Sequence, residues 1–82
     1  MKPITISGNT REQGAIINAQ VKKFLLDTPV VELDFCNKIV ANTGFFDECF
    51  RGIEPNQVLL KNICKGDFWL LTDVYPNEWK KG

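Results

Sequence analysis

Apolar residues recur along this chain in two alternating rhythms, a period of two and a period near 3.6. Pro3-Ile4-Thr5-Ile6-Ser7 alternates isoleucine with polar residues and reads as a first strand, ended by Gly8 and Asn9. Thr10-Arg11-Glu12-Gln13 then fits a capping box, in which the Thr10 hydroxyl and the Gln13 side chain each satisfy an orphan backbone N–H at a helix start. From Gly14 onward Ile17, Val21, Phe24 and Leu25 recur at helical spacing, with Glu12, Asn18, Lys22 and Lys23 largely on other faces. The spacing predicts a helix to about Asp27, broken by Thr28-Pro29.

The same alternation is repeated twice more. Val30 to Phe35 has strong strand propensity, with Val31, Leu33 and Phe35 on one face, and is expected to be the central strand. Asn42-Thr43-Gly44 offers capping side chains before a helical stripe of Phe45, Phe46, Cys49, Phe50 and Ile53. Asp47 and Glu48 fall in its early turns, where the helix dipole favours acids, and Gly52 and Pro55 mark its stop. Gln57 to Ile63 is the third strand, and Asp67 is expected to cap a last helix of Phe68, Trp69, Leu70, Leu71, Val74 and Tyr75, ended by Pro76. No repeat, linker or low-complexity stretch interrupts this order. Residues 1–82 therefore read as a single α/β domain, β-α-β-α-β-α, with a small, mainly parallel sheet of about three strands flanked by helices. Three strands leave two edges to be covered or paired, so a homodimer through a sheet edge is one expectation.

Composition narrows what such a domain does. With 44% hydrophobic and 24% charged residues the chain lies among ordinary folded domains rather than disordered ones. Ten basic residues balance ten acidic ones, so the electrostatic footprint of a nucleic-acid binder is missing, and the pairs Lys22-Lys23 and Lys80-Lys81 read as solvated surface. The absence of histidine excludes imidazole bases, His-paired nucleophiles and His-containing metal sites. Cys36, Cys49 and Cys64 stand far apart without a C-x-x-C pairing and fit free thiols in a reducing compartment. The amino terminus has no signal-peptide h-region, and no apolar run approaches the ~20 residues that span a bilayer, so a cytoplasmic protein without a membrane partner is expected. The Gly8-Asn9-Thr10-Arg11 turn lacks both phosphate-loop and dinucleotide fingerprints, and neither cofactor nor metal is expected.

Two segments carry a family likeness. Thr-Arg-Glu-Gln-Gly, residues Thr10 to Gly14, resembles the Ser/Thr-Arg-x-x-Gly opening of the first helix in STAS-like domains, relatives of bacterial anti-sigma factor antagonists. Val30 to Phe35, followed by Phe45-Phe46-Asp47-Glu48, is similar to that family's Leu-Asp-Phe strand and Ser-Phe-x-Asp-Glu helix start. The resemblance covers roughly residues 10 to 63. It implies a non-enzymatic regulatory adaptor whose exposed helix and preceding loop dock onto a protein partner such as a switch kinase-like ATPase or another regulator. In the antagonists that loop carries a phosphorylatable serine; Gly44 occupies the similar position here, which leaves Thr43 as the candidate for phosphorylation, with an N-cap role as its plainer reading.

The expected partner surface lies around Asn42 to Phe50, with Arg11, Asn42, Thr43, Phe46, Asp47 and Trp69 as contact residues. Arg11 in a first helical turn opposes the dipole, and a hydrogen bond to Asp34, Asp47 or a partner carboxylate would explain it. Among the many aromatics Phe50 and Phe68 are expected inside, and Phe46, Trp69 and Trp79 are the better interface candidates. A second reading is a small stand-alone inhibitor of phage type that blocks a larger enzyme or nucleoprotein complex. A third, an enzyme built on Asp34, Asp47, Glu48 or a cysteine, lacks an accompanying nucleophile or metal-ligand set.

Overall fold

A computed structural model describes residues 2–82. Strand β1 is Ile4–Thr5, helix α1 Arg11–Phe24, strand β2 Val31–Asp34 and helix α2 Thr43–Cys49; a 3-10 turn at Pro55–Gln57 leads into strand β3, Val58–Lys61, and helix α3 is Lys65–Val74. The strands form one parallel sheet in the order β1-β2-β3, with Ile4 opposite Leu33 and Leu33 opposite Leu60. This is the expected α/β arrangement, with shorter strands than the residue pattern suggests.

The helix starts follow local chemistry, with three corrections. Only the Thr10 half of the expected capping box forms at α1, the hydroxyl accepting from the Gln13 N–H at 3.1 Å; the Gln13 side chain lies over Gly8 instead, where any Cβ would collide with it. Asn42 caps α2, accepting from the Gly44 N–H at 2.9 Å; Thr43, read as a cap, is instead the first helical residue. Nor does Asp67 cap α3, which starts at Lys65 with Cys64 at the cap position.

The sheet is covered on one side only. Ile4, Ile6, Val31, Leu33, Phe35, Val58 and Leu60 are buried, whereas Thr5, Glu32, Asp34, Leu59 and Lys61 are exposed or half-buried on the other face. Parallel sheets are usually buried on both faces; here the alternation Val-Glu-Leu-Asp in β2 leaves one face to solvent, where Lys61 and Glu32 approach to 3.9 Å.

On the covered side α1 docks on α2 through Arg11, Gly14 and Asn18, which share a face by the helical period. Gly14 is buried against the Phe45 carbonyl, so close that a Cβ there would overlap that oxygen. Asn18 donates from Nδ2 to the Cys49 and Arg51 carbonyls, 2.9 Å each, and so satisfies orphan acceptors at the end of α2. The aromatic core lies beneath: Phe46 stacks between Phe35 and Phe50, and Phe45 meets Phe46 edge-on.

The segment after α3 closes one edge of the sheet. The Leu60 N–H donates to the Lys80 carbonyl at 2.9 Å and the Gly82 N–H donates to the Leu60 carbonyl at 2.7 Å, a one-residue parallel bridge along β3. Trp79 anchors it: the ring is buried edge-on against Phe50 and its Nε1 donates to the Tyr75 carbonyl at 2.9 Å. Trp79 and Phe46, interface candidates by sequence, are thus both core residues, and Phe68 is only half-buried, with Lys81 Nζ over its ring. Trp79→Ala is expected to lower stability by about 3–5 kcal/mol, as large aromatic truncations in cores do, and to free the β3 edge; urea denaturation measures the first and protection of the Leu60 amide against hydrogen exchange the second.

Candidate functional site

At the carboxyl ends of the strands two loops meet, residues 6–10 after β1 and residues 35–42 after β2. The second has no regular structure, yet nearly every turn is pinned. Cys36, Asn37 and Ala41 hold left-handed backbone conformations, φ 57°, 58° and 49°. Asparagine tolerates that region; for cysteine and alanine it costs roughly 1 kcal/mol each and must be imposed by the surroundings.

Two aspartates impose it. Asp34, the last residue of β2, accepts at one carboxylate oxygen from the Cys36 N–H at 2.8 Å and from Asn62 Nδ2 at 2.9 Å. The Asn62 side chain, then the Cys36 N–H, hold its carboxyl below the usual carboxylate value. Asp67, in the first turn of α3 and 1% exposed, turns one oxygen to the Val40 N–H at 2.7 Å and the other to the Ala41 N–H at 2.8 Å. A buried carboxylate with both oxygens on backbone N–H groups is a strong clamp, and its place near a helix amino terminus suits its charge. Asn42 then ties the two loops together, donating from Nδ2 to the Asn9 carbonyl while its Oδ1 caps α2.

What the clamped loop presents is apolar and basic. Lys38 and Ile39 stand on its outside, Ile39 71% exposed, and Thr43, four residues on at the start of α2, is also exposed. Ile6, Ser7, Gly8 and Asn9 of the first loop line, with Phe35, Lys38, Ile39 and Val40, a cleft of about 340 Å³.

Beside the loop, α2 displays a square of charges. Arg11 Nη1 donates to Asp47 Oδ2 at 2.9 Å and Glu48 Oε1 at 3.1 Å, and Arg51 Nη2 donates to the same two oxygens, both at 3.0 Å. Tyr75 donates its hydroxyl to the Asp47 carbonyl at 2.7 Å and lies 3.2 Å from Asp47 Oδ1. Arg11 chiefly, with help from Tyr75 and Arg51, holds the Asp47 carboxyl below its usual range. Burial first, then Asp47, pushes the Tyr75 phenol up, so it remains a donor.

The structure brings Arg11, Asn42 and Asp47 together around the first turns of α2, and Gly44 is the reason they fit: a Cβ there would press on the Arg11 guanidinium and on Asn42 Oδ1 at 3.2 Å each. The candidate residues part here. Arg11 meets Asp47, as one of its possible explanations required, but not Asp34; Asn42 is engaged internally at both ends of its amide. Phe46 has no exposed surface and is corrected from contact residue to core. Trp69 is 61% exposed on another helix, with Lys65 Nζ over its ring. Asn18, Ile39, Asp67 and Tyr75 were not singled out as site residues by sequence, because each does its work through a partner more than twenty residues away or through a loop without periodicity.

Among the described residues no group of three Cys, Asp or Glu is placed to hold a metal ion, and no helix is long and apolar enough to cross a membrane. Cys36, Cys49 and Cys64 are free; burial pushes the Cys49 thiol far up. No family model matches the chain, and neither does any curated protein or solved structure.

Two outcomes follow from this geometry. Asp67→Ala leaves the Val40 and Ala41 N–H groups without their acceptor and is expected to cost about 3 kcal/mol, read as a lower urea midpoint together with faster exchange of those two amides. Asp47, its carboxyl pulled below the unfolded value, lends stability that is whole above about pH 4 and disappears as the pH falls through the lowered value. Arg11→Met is therefore expected to be less stable than the parent at neutral pH, and the difference between the two urea midpoints should shrink as the pH falls below about 4.

Proposed function

We propose that this chain is a non-enzymatic STAS-like regulatory adaptor, which docks a protein partner with the loop of residues 35–42 and the exposed side of α2. The observation that carries the reading is the Asp67 clamp. A loop held in strained left-handed turns by a buried carboxylate, with an isoleucine 71% exposed at its outside, is the surface of a preformed docking element. Surrounding features agree with it. The polar groups of Asp34, Asn42 and Asp67 are spent on holding backbone, and exposed apolar groups beside charged ones are what recognition surfaces offer. The segment Thr10 to Gly14, where the family likeness begins, supplies Arg11 and Gly14, which seat α2 against α1 and so set the position of the docking helix. Free thiols at Cys36, Cys49 and Cys64 favour a cytoplasmic setting.

At residue 44 the chain departs from the family pattern. Gly44, at the position similar to their serine, is buried beneath Arg11, and Thr43 is the exposed hydroxyl at the start of α2. Regulation by phosphate, where it exists, falls to Thr43.

Immobilised chain and a lysate of the source cells test the reading. A partner identified by mass spectrometry should be retained by the parent and by Leu26→Asp, a change at a residue 83% exposed on the turn after α1, and lost at least tenfold with Ile39→Asp. Equal recovery with Ile39→Asp and the parent sinks the proposal.

A further inference from the structure

The fold covers one sheet edge and leaves the other bare. The Ile6 N–H donates to the Asp34 carbonyl at 2.8 Å, so Ile4 and Ile6 turn their peptide groups toward β2. By alternation the Thr5 N–H and C=O, the Ser7 N–H and the Pro3 C=O point away from the sheet. Helix α1 runs along this flank. One groove beside it is lined by Thr5, Ser7, Gln13, Ile16 and Gln20, and the next, of about 660 Å³, by Lys2, Pro3, Thr5, Gln20, Phe24 and Asp27. Thr5 and Gln20 belong to both and mark the middle of the flank. Four residues to either side of Gln20 stand Ile16, 57% exposed, and Phe24, 36% exposed.

We infer that a second copy of this chain occupies the flank, its β1 antiparallel to the first across a two-fold axis through Thr5 and Gln20. At the axis the two Thr5 residues form a mutually hydrogen-bonded pair, and each Ser7 N–H donates to the Pro3 carbonyl of the other copy. Pro3, which has no N–H, fits at a position that needs only to accept.

The same operation places Ile16 of each α1 against Phe24 of the other. A crossover helix sits over the gap between its two strands, so the two α1 axes come to about 10 Å apart, twice a strand spacing and at the upper end of the packing range. Glu12 and Lys23 lie on one line of α1 toward opposite ends, and neither has an ion pair within the chain among the described residues. An antiparallel neighbour sets each Glu12 roughly 7.5 Å along the helix axis from the other copy's Lys23, a separation that two long side chains can bridge. The assembly closes on itself: the joined sheet has six strands, and its outer edges are the two β3 strands, each bridged by its own tail.

Sedimentation of the intact chain from about 1 µM to about 0.5 mM tests the inference. The parent is expected to reach twice 9.3 kDa, while Ile16→Glu and Thr5→Pro, which change an exposed side chain and an outward N–H, should stay at 9.3 kDa with unchanged circular dichroism. In a Cys36→Ser, Cys64→Ser background, Gln20→Cys should form an interchain disulfide on mild oxidation, and Leu26→Cys, away from the axis, should not. A parent that remains monomeric throughout, or a dimer that both flank variants leave intact, overturns the inference.

Discussion

The close approach of α1 and α2 at Gly14 is the constraint on which the rest of the molecule depends. Because the Phe45 carbonyl lies where a side chain at residue 14 would begin, α1 can reach both ends of α2. Arg11 grips the acids of its first turns, and Asn18 satisfies the carbonyls at its last. A seven-residue helix is too short to be stable by propensity alone. Its stability comes from these contacts and from the phenylalanines beneath it, and the loop that enters it inherits the same fixed frame.

Much of the fold was legible because its signals are periodic. The two-residue alternation of Ile4-Thr5-Ile6 and Val31-Glu32-Leu33-Asp34, and the stripe of Phe45, Phe46, Cys49 and Phe50, each required only local chemistry to interpret. The residue pattern overstates the strand lengths, since residues such as Ile6, Phe35 and Ile63 are buried like strand residues while lying just outside the strands. Trp79 carries no local sign of its burial. It follows a proline in a charged segment and belongs to no helix or strand, and only the third dimension places it against Phe50.

The site was legible in part. Asn42, Gly44 and the acids Asp47 and Glu48 follow from capping and dipole rules, and Arg11 asked for an explanation by standing at the wrong end of a dipole. Asp67 gave no such sign: as an acid in a first helical turn it is ordinary, and its hold on Val40 and Ala41 spans a sequence separation that no local rule senses. Nor does composition distinguish an isoleucine displayed on a clamped loop, such as Ile39, from one inside a core, or an aromatic inside a core, such as Phe46, from one displayed on a helix.

The two tryptophans divide the molecule optically. Trp79 sits in an apolar enclosure against an aromatic ring, whereas Trp69 stands in water under a lysine. Their emission therefore separates by wavelength and by access to soluble quenchers: the blue, shielded component reports whether the interior is closed, and the red, quenchable one reports what touches the surface of α3. A single unlabelled chain thus carries independent fluorescent reporters of folding and of encounter.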